Sequence, residues 1–257
     1  MRANPVKKTL AEGGVAHGTM VFEFLSPGLP QILVNAGCDF VFYDMEHSGF
    51  TMSEMKTQLA LCRGLGLVPL VRPPGKSYQY TARLLDLGAM GLLYQMVESA
   101  EEAAELVSWT RYPLEGQRGA MFGGAHDDYG SATMEETKAA AHERTMVCVL
   151  IETAAGLANV DEILAVPGVD VAHLGHADLS LLLGIPGQFD HADLQAGIDA
   201  IAAAAKKHGK TAAGLVGSPG QGREWRERGF RMLSYFYDIG IYQTALARGI
   251  AGIKGEE

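Results

Sequence analysis

Residues 147–182 constrain the fold more than any other stretch. Val147 to Ile151 is a short apolar run ending at Glu152, and Val169 to Leu174 is a second that leads into Gly175-His176-Ala177-Asp178. Runs of this length, bounded by Gly, Pro and polar residues, predict parallel strands buried on both faces. Between them Leu157, Val160, Ile163 and Leu164 recur at helical spacing, and Pro167-Gly168 stops the helix. The strands of such a strand–helix–strand unit lie side by side, so Glu152 and Asp178 are predicted at neighbouring carboxyl ends, facing one hole. Two like charges held that close need a neutralising cation, or one of them must keep its proton. An oxygen-rich site with no cysteine nearby suits Mg²⁺ or Mn²⁺ completed by water and substrate. An alternative is that each acid only caps the helix after it.

The same alternation extends along the chain. Strands are predicted at Gly18–Phe24, Phe40–Phe42, Leu67–Val71, Gly91–Met96, Thr211–Val216 and Phe230–Tyr237, besides the two already named. Helices are predicted through Leu29, Ile32, Leu33 and Ala36, at Thr51–Arg63, at Ala100–Thr110 behind a Ser99 cap with Glu102 three residues on, at Met134–Arg144 and at Ala192–Lys207, with a short one near Arg223. Eight strands with intervening helices make a closed (β/α)8 barrel the economical solution, and 257 residues match the roughly 250 typical of one. No linker divides the chain, so residues 1–257 are read as a single α/β domain. The Gly-rich segment from Arg111 to about Tyr129 is expected to form an elaborated loop over the carboxyl face of the barrel. Ile241–Ile253 is apolar enough to pack on a neighbouring surface, such as a second subunit.

Composition removes other classes. A net charge of −9 without a Lys/Arg cluster argues against a nucleic-acid partner. Cys38, Cys62 and Cys148 are odd in number, far apart and set in apolar surroundings, which indicates neither a disulfide framework nor a zinc knuckle and makes the cytoplasm the expected compartment. No apolar run reaches bilayer-spanning length, and the N-terminal stretch has no apolar core behind its charges, so neither membrane anchoring nor secretion is expected.

In a barrel, charged residues at strand ends are the candidates for catalysis. Here they are Asp44, Glu46, His47, Arg72, Glu152 and Asp178. Asp44 and His47 are close enough in sequence for the carboxylate to accept a hydrogen bond from one ring nitrogen, leaving the other to move protons as a general base. Arg72 is either an ion-pair partner of Asp44 or Glu46, or the fixed cation that a developing enolate oxygen requires. A divalent metal, an arginine and a histidine base together suit proton abstraction next to a carbonyl.

Asp44-Met45-Glu46-His47, Val71-Arg72-Pro73, Thr110-Arg111-Tyr112-Pro113 with Arg118-Gly119, Ile151-Glu152-Thr153 and Ala177-Asp178-Leu179-Ser180 resemble, in order, the motifs of the HpcH/HpaI aldolase family, metal-dependent class II pyruvate aldolases. The resemblance runs from about Gly18 to Leu246. It implies a modified (β/α)8 TIM barrel of the phosphoenolpyruvate/pyruvate superfamily, its last helix exchanged between subunits, in a homohexamer built as a trimer of dimers. It also implies Mg²⁺, Mn²⁺ or Co²⁺ on Glu152 and Asp178, and the oxygen of a 2-oxo acid on Arg72. Protons would be moved by His47 with Asp44, Glu46 standing behind them, and the substrate carboxylate would meet the backbone of Gly175, His176 and Ala177. The implied reaction is reversible aldol cleavage of a 4-hydroxy-2-oxo acid to pyruvate, or hydroxypyruvate, and an aldehyde through a metal-stabilised enolate.

Two positions depart from the family pattern. His176 stands where the family commonly has proline, and Leu150 where it has glutamine. Gln95, on the adjacent strand, is expected to supply the amide missing at position 150, and His176 to add a donor beside the carboxylate or the aldehyde. No lysine stands at the predicted strand ends, which removes a Schiff-base aldolase. Oxaloacetate decarboxylation through the same enolate, an acyl-CoA lyase and a non-catalytic binding protein remain as alternatives.

Overall fold

The computed structural model describes residues 1–255. A short helix, α1 (Pro5–Ala11), comes first, and β1 (Ala16–Val21), α2 (Leu29–Asn35), β2 (Phe40–Asp44), α3 (Met52–Leu61), β3 (Val68–Arg72), α4 (Tyr78–Asp86) and β4 (Gly91–Tyr94) then alternate. After α5 (Ala100–Thr110) a long connection with one 3-10 turn at Ala125–Asp127 leads to α6 (Met134–Arg144) and β5 (Met146–Ile151). The remainder comprises α7 (Ala154–Ala158), α8 (Val160–Ala165), β6 (Val171–Leu174), α9 (His176–Leu182), α10 (Ala192–Lys207), β7 (Thr211–Val216), α11 (Pro219–Glu227), β8 (Phe230–Tyr237) and α12 (Asp238–Lys254). All eight strands are parallel, each pairs with its neighbours in sequence, and β8 pairs with β1 to close the barrel.

The strands read as unbroken apolar runs because both of their faces are buried. Phe40 and Phe42, Val68 and Leu70, Leu93, Cys148 and Leu150, and Val171 belong to the cluster that fills the barrel. Their alternating neighbours Val41, Tyr43, Val71, Leu92, Val149 and Ala172 pack outward against Met55, Leu59, Leu84, Leu106, Ile163 and Ile198 of the surrounding helices. Side chains alternate with a period of two, so the inward set continues past Phe42, Leu70, Leu93, Leu150 and His173 to Asp44, Arg72, Gln95, Glu152 and Gly175. That parity gathers polar side chains from four strands at one mouth.

Helix starts follow their caps. Thr51 and Thr133 form full capping boxes with Glu54 and Glu136. Ser99 caps α5 by accepting the Glu102 N–H at 3.2 Å, but the Glu102 carboxylate turns instead to the Glu98 N–H and to Lys76. The single helix expected between β5 and β6 is two, broken at Asn159, whose side-chain amide donates to the Glu98 carbonyl at 2.8 Å.

One element was not anticipated, and one expectation is corrected. The N-terminal residues form α1, capped by Asn4 with Pro5 in its first turn, and Val6 and Leu10 plug the amino end of the barrel. Its seven residues carry too little periodicity to stand out in sequence; the Asn-Pro start was the available signal. The Gly-rich connection after α5 does not cover the carboxyl face. Arg118 stacks on Tyr112 and pairs with Asp86 at the end of α4, Ala125 packs by Gly88, and Asp128 meets Arg2. The direction of the chain explains this, because a segment that follows a helix and precedes a strand is delivered to the amino end of the barrel, and only the loops after strands reach the mouth.

Candidate active site

β2 and β3 lie in register with Asp44 opposite Arg72. Asp44 is fully buried; one carboxylate oxygen takes the Arg72 Nε–H and the other accepts the His47 backbone N–H at 2.7 Å. Arg72 Nη1 also sits 3.1 Å from Glu46 Oε2, so its guanidinium is fixed by two acids. This corrects the expected dyad: Asp44 has no oxygen turned to the His47 ring, and the carboxylate facing His47 Nε2, at 3.5 Å, is that of Glu46. The His47 side chain is 57 % exposed and free to meet a ligand from solvent.

On the opposite side, β5 and β6 pair Ile151 with Leu174, and the Gly175 N–H continues the ladder to the Ile151 carbonyl at 3.0 Å. Glu152 therefore stands beside Gly175. A Cβ on Gly175 would fall 2.6 Å from the Glu152 Cβ and 2.7 Å from its Oε2, so only glycine lets the carboxylate lie there. Glu152 is 4 % exposed and caps no helix; Thr153 does that for α7, accepting the Gly156 N–H at 2.9 Å. Burial pushes the Glu152 carboxyl up to about 7, against the pull of the Met96 N–H bound to Oε1 at 2.8 Å, and the Asp178 carboxylate raises it further. Asp178 lies in the first turn of α9, whose leading N–H groups have no acceptor within the helix. No side chain caps α9, so Asp178 meets this helix start only through its charge, and Glu152 not at all.

Two cavities open at the mouth and share this pair of acids. One, of about 600 Å³, is lined by Arg72, Glu152, His173, Gly175, His176, Ala177 and Asp178, with apolar walls from Met20, Phe22, Leu93, Leu150, Phe189 and Leu215. The other, of about 250 Å³, is lined by Glu46, His47, Met96, Glu152, Asp178, Leu181 and Leu182. Glu152 and Asp178 stand between a compartment holding the fixed arginine and one holding the exposed histidine.

The donor set fits a hard divalent cation. Two carboxylates would supply oxygen ligands, a bound cation would relieve the burial cost that raises the Glu152 carboxyl, and the remaining positions would be left for water and substrate. Among the described residues no three His, Cys, Asp or Glu side chains form a ready cage, so the protein would contribute two ligands and an open site.

The structure brings together eight of the expected side chains or backbone groups: Asp44, Glu46, His47, Arg72, Glu152, Gly175, Ala177 and Asp178. The other two differ from expectation. Gln95 Nε2 donates to the Pro73 carbonyl at 3.1 Å and Gln95 lines neither cavity, while its buried Oε1 has no partner. Its place at the foot of the Pro73-Pro74 turn gives it a local acceptor before any ligand. The His176 ring packs edge-on against Phe189 and Trp225, with centroids 5.1 and 5.7 Å away, as part of the cavity wall. Sequence reading missed the Met96 amide, the aromatic wall of Phe22 and Tyr237, and His173. For His173 the available signal was its inward parity with Gly175.

Comparison with known proteins bears on the fold and the family. A sequence model of the HpcH/HpaI aldolase/citrate lyase family matches residues 20–244. A hydroxypyruvate/pyruvate aldolase of Roseobacter denitrificans is 35% identical over 245 residues, covering 93% of this chain and 92% of that protein. A 2-keto-3-deoxy-L-rhamnonate aldolase of Klebsiella pneumoniae is 31% identical over 254 residues, covering 99% and 94%. The crystal structure of an HpcH/HpaI aldolase from Desulfitobacterium hafniense superposes with a TM-score of 0.92 at 31% identity, covering 97% of this chain and 96% of that one. With the family model matching residues 20–244 and relatives covering nearly the whole chain, this protein belongs to the HpcH/HpaI aldolase/citrate lyase family and is a carbon–carbon lyase.

Proposed function

We propose that this single barrel is a divalent-metal-dependent aldolase that adds pyruvate or hydroxypyruvate reversibly to an aldehyde, with Mg²⁺ or Mn²⁺ held by Glu152 and Asp178. The observation that carries the proposal is the pairing of two acids that make no salt bridge among the described residues with a guanidinium locked across the same cavity. A bound divalent ion would act there as a Lewis acid on the 2-oxo group.

The chain's own residues do the rest. Arg72, held by Asp44 and Glu46, presents N–H donors to the carbonyl oxygen as it gains charge, without reorganising when the charge appears. His176 and Ala177, at the start of α9, offer backbone N–H groups to the carboxylate of the 2-oxo acid, whereas the expected Gly175 N–H is taken by the Ile151 carbonyl. His47, with Glu46 facing its Nε2, takes a proton from the acceptor side in cleavage and returns one in addition. The apolar walls of the larger cavity exclude water from the nucleophilic carbon.

The assembly belongs to the same proposal. α12 exposes Ile241, Tyr242, Leu246, Ile250 and Ile253, a face suited to packing on another copy as the swapped helix of a hexamer. The three cysteines are free, in keeping with a cytoplasmic setting. No described helix is long and apolar enough to cross a membrane.

Exchange of pyruvate methyl protons in D₂O, followed by NMR on chelator-stripped protein before and after Mg²⁺ or Mn²⁺ is restored, tests enolisation without knowing the aldehyde. Exchange that returns with the metal is expected. Exchange that ignores the metal, or its absence with every 2-oxo acid tried, would remove the proposal.

A further inference from the structure

His173 lies on β6 two residues before Gly175, opposite Leu150 of β5, and its side chain points into the barrel. It is 3 % exposed, and neither Nδ1 nor Nε2 has a hydrogen-bond partner. Its ring stands edge-to-face on Phe42, with centroids 5.7 Å apart and planes at 88°, which fixes the plane in which its nitrogens lie. Burial, with Arg72 nearby, holds the imidazole down at about 3 against the opposing pull of the Leu174 backbone, so at neutral pH it is uncharged and offers one donor and one acceptor.

An unpaired imidazole is costly in an apolar interior, and buried polar side chains nearly always find partners. Here the ring lines the cavity that also holds Arg72 and Glu152. Met20, Leu93 and Leu150, which line the same floor, cannot hydrogen-bond a ligand. In the aldolase reading, Arg72 and a cation held by the two acids would take up the 2-oxo group, and backbone amides the carboxylate. The third carbon of the donor is what remains for the floor. A methyl group there would need no imidazole, and a hydroxyl would use one.

We propose that His173 is a specificity-determining residue that hydrogen-bonds a hydroxyl on the donor's third carbon, so that hydroxypyruvate is preferred over pyruvate. The proposal rests on the aldolase reading of the site and adds to it the residue that chooses the donor.

The test compares metal-dependent C3-proton exchange, and aldol addition to one fixed aldehyde such as glycolaldehyde, for the two donors in wild type, His173→Phe and His173→Gln. The wild type is expected to favour hydroxypyruvate in kcat/KM. His173→Phe should lower the hydroxypyruvate value by at least ~10-fold while leaving pyruvate within about 3-fold, and His173→Gln should restore part of the preference. A wild type that favours pyruvate overturns the proposal even if neither variant folds. So does an unchanged donor ratio in a folded His173→Phe, which would leave bound water as the partner of the ring. Exchange of neither donor by the metal-loaded wild type overturns the aldolase reading itself, and this proposal with it.

Discussion

The two halves of the barrel mouth treat charge in opposite ways. At the ends of β2 and β3, the acids Asp44 and Glu46 share Arg72, and the remaining Asp44 oxygen takes a backbone N–H, so that half is balanced within the protein. Across the mouth, Glu152 and Asp178 face each other with one backbone N–H on Glu152 and no salt bridge among the described residues. In the proposed function the balanced half is a preorganised support, and the unbalanced half is where a cation from outside would complete the site. Burial without compensation is costly to a folded protein, so its retention at one place marks a ligand's position.

Three substitutions or conditions probe that contrast. The largest effect is expected from Glu152→Ala. Removing one of two protein ligands should cost roughly 10³-fold in metal-supported proton exchange, comparable to losing a key stabiliser of transition-state charge. Exchange within a few-fold of wild type would show that the unbalanced half is not the cation site.

Next is Asp44→Asn, which leaves the buried Arg72 with Glu46 alone. Breaking one partner of a buried ion pair should destabilise the fold by about 3–5 kcal/mol in urea denaturation. A loss well under about 1 kcal/mol would mean that the two halves do not differ in how they are held together.

The third is a pH effect on chelator-stripped protein. The Glu152 carboxyl, at about 7 when folded against an ordinary 4.5, keeps a proton that the unfolded chain releases. Stability should therefore fall as pH rises from 4.5 through 7, by up to on the order of 3 kcal/mol, and Glu152→Gln should flatten that part of the profile. A slope that persists in the variant would assign the effect to another group.

Much of this site was legible in sequence because a barrel maps strand ends onto one face. Once Val147–Ile151 and Val169–Leu174 are strands, Glu152 and the Gly175–Asp178 turn can only emerge together, and the same holds for Asp44 with Arg72. Partner choice was not legible. Asp44 and His47 are three residues apart, close enough for a ring contact, yet in the folded chain Asp44 spends its oxygens on Arg72 and the His47 amide, and Glu46 meets the ring. Gln95 met the Pro73 carbonyl for the same reason: a nearby backbone acceptor is reached before any ligand.

The sequence by itself determined the eight-strand alternation, the order of the charged strand ends and the family to which they point, since these depend on local periodicity and residue type. Tertiary structure alone decided that the Gly-rich connection packs at the amino end, that α1 plugs the barrel, and that His173 reaches the cavity floor with both nitrogens unpaired. Those outcomes depend on chain direction, closure of the barrel and competition among hydrogen-bond partners, which no linear spacing encodes.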